Sequence, residues 1–159
     1  MAPDPDSGRV ARCRAGDAAA FRELFDLYAA RVLGTARRIT GSSHDAEDVL
    51  QEVFLKVHRN LGSFAGRSTF SLWIHKIAVH ESVNWKRRRR APVEAPAPGA
   101  PGDAGELLAP LSPPLRVVMS LRYVSGFSYD EIAELLEIPV GTVKSRIFEA
   151  HEKLREARG

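Results

Sequence analysis

Asp45, Asp48 and Glu52 lie close together in the chain, and Asp48 and Glu52 stand one helical turn apart. At that spacing two acids can share a metal or divide acid and base work. We expect no histidine at ligand spacing, and no glycine-rich phosphate loop or nucleophile motif accompanies them. A helix start favours acids in any case, because its dipole and unpaired N–H groups attract negative charge. That accounts for Asp45, Glu47 and Asp48 without a reaction, and the chain reads as a binding protein with no catalytic residue, metal or cofactor.

The same helix, HDAEDVLQEVFLKVHRNL, turns Ala46, Val49, Leu50, Val53, Phe54, Val57 and Leu61 to one side and Asp48, Gln51, Glu52 and Leu55 to the other. A leucine among acids is what a docking surface for a basic partner offers, with an apolar anchor and selective charges around it. Read alone, Leu55 also fits the scatter of apolar residues that any surface carries.

A second set of binding residues follows. Between Arg67 and Arg90 there are seven basic residues against Glu81 alone, while the whole chain carries a net charge of only +3. A basic block at a helix end suits phosphate backbones. Phe70, Trp73, Ile74, Ile77, Asn84 and Trp85 share one sector, mostly core, and Leu72, His75, Lys76, Val79, Val83 and Lys86 face away from it. Cations mixed with apolar groups suit single-stranded nucleic acid, whose bases need platforms and whose phosphates need charge. The glycine-broken loop from Gly62 to Thr69 is a candidate pocket for one unstacked base. Trp73 is a stacking candidate too, but its sector makes it core.

The third set is YDEIAELLEIPVGTVKSRIFEAHEKLR, two short helices joined by a tight turn. Ser128 and Glu131 form a capping box, and Ile132, Ala133, Leu135 and Leu136 point inward. Pro139 suits the first turn of the next helix. There Val143, Ile147, Ala150 and Leu154 make the buried stripe, with Ser145, Phe148, Glu149 and Glu152 opposite and Lys144 beside them. This is a helix-turn-helix for the major groove of duplex DNA.

These sets need scaffolds. Residues 17 to 38 supply a helix with Phe21, Leu24, Phe25, Tyr28 and Val32 inward, and Gly41, Ser42 and Ser43 end it and start the next. The run APVEAPAPGAPGDAG has no apolar period and reads as a semi-extended linker. The expected fold is all-α: a domain at 10–90, a flexible linker at 91–105 and a small helix-turn-helix domain at 106–158. Cys13 is the only cysteine, which excludes a disulfide framework and fits a reducing compartment. The first residues are unlike a signal peptide and no apolar run reaches the length of a membrane span, so we expect a soluble cytoplasmic protein without membrane insertion.

In this order, DAEDVLQEVFLKV, SFAGRSTFSLWIHKIA with the basic run, and LSPPLRVVMSLRYVSGFSYDEIAELLEIPVGTVKSRIFEAHEKLR resemble the extracytoplasmic function (ECF) class of bacterial sigma factors, the promoter-recognition subunits of RNA polymerase. The resemblance implies that Asp48, Gln51, Glu52 and Leu55 dock on the clamp helices of the largest subunit of core polymerase. It implies that Ser63, Phe64, Arg67, Ser68, Lys76, Val79, His80, Val83, Lys86 and Arg87 open and read the −10 promoter element as melted single strand. Thr142, Lys144, Ser145, Arg146, Phe148 and Glu149 then read the −35 element as duplex. It also implies an anti-sigma partner. Three positions depart from the family pattern: His80, where asparagine is common; Glu137, in the turn where glycine is usual; and Glu149, basic in some relatives. The competing function, a stand-alone helix-turn-helix regulator, leaves the acidic face with Leu55 and the basic helix unexplained.

Overall fold

The computed structural model describes residues 3–89 and 107–159. The linker expected at 91–105 lies outside them. The described residues form helices α1 (Ser7–Arg14), α2 (Ala18–Thr40), α3 (Ser43–Asn60), α4 (Phe70–Arg89), α5 (Pro113–Tyr123), α6 (Tyr129–Leu136) and α7 (Val140–Arg158), with one 3-10 turn at Leu61–Ser63.

Local chemistry sets the helix ends. The Asp17 carboxylate accepts from the N–H groups of Ala19 and Ala20 and caps α2, with Arg12 beside it holding its pKa below the ordinary carboxylate value. Gly41 closes α2 in the left-handed conformation at φ 74°, which glycine adopts without a Cβ clash. Ser42 then caps α3, its hydroxyl accepting from Asp45 N–H at 3.2 Å. The capping box of α6 forms in full: Ser128 Oγ accepts from Glu131 N–H at 3.1 Å, and Glu131 Oε1 accepts from Ser128 N–H at 2.9 Å. Pro139 sits one residue earlier than expected, as the N-cap of α7.

Two cores result. Leu24, Tyr28, Val32, Val49, Val53, Val57, Phe70, Ile74 and Ala78 fill the first, between α2, α3 and α4. Leu111, Leu115, Val118, Leu121, Phe127, Ile132, Leu135, Val143, Ile147 and Ala150 fill the second. Trp73 lies among Phe64 and Phe70 as part of the first core, as its sector implies. Asn84, by contrast, is exposed. The acidic N-terminus does structural work that composition does not reveal. Asp4 Oδ2 accepts from Phe70 N–H at 2.8 Å, capping a helix sixty-six residues away, and buried Asp6 accepts from the Tyr28 hydroxyl. Burial, and then that carboxylate, push the Tyr28 pKa up.

The two cores meet along α4. α6 packs on α4 and α5 packs on α2. Leu72 enters the second core, and the His75 ring meets Phe127 edge-on at 4.9 Å. His75 Nδ1–H donates to Ser71 C=O at 2.7 Å, which leaves Nε2 as a buried lone pair without a hydrogen-bond partner. Adding a proton there would bury an unpaired charge, and burial accordingly lowers the His75 pKa from its ordinary value of 6.5. The unfolded chain therefore binds more protons than the folded one as pH falls below 6.5, so this site's stabilisation is present above that pH and fades beneath it. Thermal melts at pH 7 and pH 5 should show a loss of stability in the wild type that His75→Phe reduces; equal losses in both would assign the acid sensitivity elsewhere.

Candidate nucleic-acid interface

On α3 the outward strip forms as expected. Val49, Val53 and Val57 are fully buried on one side; Gln51 and Leu55 are exposed on the other, with Asp48 and Glu52 partly so. Leu55 is 47% exposed. His44 stands one turn before Asp48 with Nε2 4.0 Å from its carboxylate, a neighbour overlooked when the acids are read by themselves. Among the described residues no three His, Cys, Asp or Glu side chains gather as a metal-binding set.

The α4 face differs from the expectation of a free basic surface. Arg67, Lys86 and Arg87 are exposed and Lys76, His80 and Val83 are partly so. Leu72, His75 and Val79 are buried; Leu72 packs in the second core and the His75 ring meets Phe127 of the C-terminal domain. Phe64, a candidate for base contact, is also buried: its ring packs on Phe70 and Trp73, with the Arg14 guanidinium over its other neighbourhood at 5.9 Å. In the same loop Ser63 Oγ donates to Asn60 C=O and Ser68 Oγ to Thr69 C=O. A cavity of about 450 Å³ touches this loop at Gly62 but opens toward α1, between Cys13, Asp17 and His58.

Two side-chain pairs cross from α4 to α6. Lys76 Nζ lies 3.8 Å from Glu134 Oε1, and His80 Nε2 lies 3.6 Å from Glu137 Oε1. Beyond them the domains leave a groove of about 860 Å³ with Ile39, Val83, Val117 and Leu136 as apolar wall and Arg38, Lys86, Arg87 and Arg146 around it. Arg146 thus turns to the groove and not to an acid of the preceding helix.

On α7 the geometry follows the sequence closely. Val143, Ile147 and Ala150 are buried, and Phe148 is 69% exposed. Lys144, Ser145 and Glu149 share its side of the helix, while Thr142 lies half-buried near the helix start. Ser145 Oγ–H is already donated to Gly141 C=O at 2.9 Å, and Glu149 lies 3.7 Å from Lys153. The second helix of the helix-turn-helix thus presents an open aromatic with a cation and an acid beside it.

Comparison with known proteins fits this arrangement. Residues 24–91 match the Sigma-70 region 2 family and residues 103–154 match Sigma-70 region 4. The RNA polymerase sigma-H factor of Pseudomonas aeruginosa is 33% identical, across 99% of this chain and 95% of that protein. The ECF RNA polymerase sigma-E factor of Haemophilus influenzae is 35% identical, across 94% of this chain and 93% of its own. The chain belongs to the ECF sigma factors. Among solved structures, the sigma factor RpoE of Bartonella quintana, in complex with the anti-sigma factor NepR, superposes with a TM-score of 0.72 at 26% identity, covering 86% of this chain and 94% of that one. CnrH, solved with the cytosolic domain of CnrY, shares the fold at the same TM-score of 0.72 and 24% identity, covering 97% of each chain.

This sigma factor is therefore a promoter-specificity subunit and not an enzyme. One of its departures from the family pattern carries a measurable strain. Glu137 ends α6 at φ 54° and ψ 46°, the single non-glycine residue with positive φ among the described residues. Ile138 N–H reaches back to Ala133 C=O at 3.1 Å, the helix-closing bond that demands this left-handed residue. A side chain there costs roughly 1 kcal/mol relative to glycine. Glu137→Gly should raise unfolding stability by about that amount in denaturant titration, and a destabilised variant would mean that the carboxylate's contacts outweigh the strain.

Proposed function

We propose that Asp48, Gln51, Glu52 and Leu55 on α3 dock this sigma factor on the clamp helices of the polymerase's largest subunit. The observation that carries this reading is Leu55, nearly half exposed among acids and opposite a fully buried stripe. An exposed leucine with acids beside it supplies the apolar anchor and the selective charges that a basic partner would use. The same placement means that changing these residues removes a surface and leaves the packing intact.

Arg67, Lys76, His80, Lys86 and Arg87, with the loop hydroxyls of Ser63 and Ser68, bind the melted −10 strand. Val79 and Val83 join them once the C-terminal domain moves aside. Phe64 supports this surface from within the core. On α7, Lys144 and Thr142 hold phosphates, while Ser145, Phe148 and Glu149 meet −35 base edges, Phe148 through a thymine methyl and Glu149 through a cytosine amino group. Arg146 steadies the groove side of the helix.

An anti-sigma factor is the expected regulator, since the similar sigma factor RpoE is solved in complex with the anti-sigma factor NepR. The apolar wall and cations of the interdomain groove suit an acidic, apolar segment. No helix among the described residues is long and apolar enough to cross a membrane, and the site of action is the cytoplasm, with the polymerase.

Reversing the charge of Asp48 and Glu52 and cutting Leu55 to alanine should abolish co-purification with core polymerase while circular dichroism keeps its helical signal. Undiminished binding by that folded triple variant would place the docking surface elsewhere.

A further inference from the structure

We propose that Glu134 and Glu137, at the end of α6, occupy Lys76 and His80 of the −10 reading surface in the free chain and hold it closed, so that the helix-turn-helix domain stands in for promoter DNA on α4. This rests on the reading of the Lys76 and His80 face as the −10 surface. Lys76 and His80 are one turn apart on α4, and Glu134 and Glu137 are one turn apart on α6, so the two pairs at 3.8 and 3.6 Å form in register. A carboxylate presents anionic oxygens to a cation as a phosphate does, and both acids are exposed apart from this contact.

Two further observations point the same way. α6 carries acids along its length and has no basic residue in its last turn, where the helix dipole would favour one. Glu137 also holds a strained backbone position at which glycine is easier. Strain kept at a single residue is accounted for when its side chain has a task that glycine cannot perform. His80 and Glu137 face each other across the two helices. Leu72 and His75 are buried against the same domain, which shields part of the apolar half of the surface while the acids stand at its polar half.

The test uses the full chain with Cys13 replaced by serine and a dye pair at Glu47 and Arg158, both on exposed helical positions. Glu134→Gln with Glu137→Gln should lower energy transfer and raise the open population roughly threefold to tenfold, the range that two half-exposed ion pairs can supply. Fluorescence anisotropy with a short single-stranded DNA of randomised sequence should show binding tightened by a similar factor. A control with Asp26→Asn and Glu156→Gln removes the same charge at exposed positions outside α6 and should change neither readout comparably. Unchanged energy transfer in the double variant would overturn the closure. Opening without tighter DNA binding than the control would overturn the assignment of this face to DNA, and the stand-in role with it. Glu137→Gly adds an independent reading: it should open the chain in part although its backbone is relieved.

Discussion

Burial of α4 on two sides is the constraint from which the rest of the molecule follows. Phe70, Ile74 and Ala78 complete the first core, and Leu72, His75 and Val79, displaced around the helix, are covered from the other side. A helix with two buried faces has only its charged edge left for solvent, and that edge carries Lys76, His80 and Lys86. Burying a leucine is worth about 1.5–3 kcal/mol, whereas an exposed ion pair contributes about 0–1 kcal/mol. The apolar contacts therefore supply the energy with which the domains meet, and the pairs to Glu134 and Glu137 set the register. Such an interface is modest enough to be exchanged for polymerase and DNA.

The helix-turn-helix was legible residue by residue. Ser128, Glu131 and the stripe of Val143, Ile147 and Ala150 are local signals, decided within one or two turns, and a single period separates Phe148 from them. The α3 strip was legible for the same reason. What escaped a reading of the sequence depended on distance along the chain. Asp4 and Asp6 read as an acidic leader, yet one caps α4 and the other anchors Tyr28, because only the folded chain brings them there. The helix Ser7–Arg14 escaped as well, being short and anchored by Val10 alone in the core.

The misreadings on α4 have one cause. Apolar and basic residues alternate all around it, so a search for one inward face assigns Leu72, His75 and Val79 to solvent. A second layer of protein lies over them, and nothing local announces it. Phe64 misleads similarly: an aromatic in a glycine-broken loop suggests base contact, but its partners Phe70 and Trp73 lie on the next helix and draw it inward. The resemblance pointed to this helix as a working surface, and the folded chain keeps part of it covered.

Hydroxyl-radical footprinting of Leu72 and His75, read by mass spectrometry in the free chain and in reconstituted holoenzyme without promoter DNA, tests this account most directly. Two-sided burial of α4 in the free chain, released on docking, predicts protection of both side chains when free and strong labelling in the holoenzyme. Equal protection in both states, or ready labelling in the free chain, would contradict it.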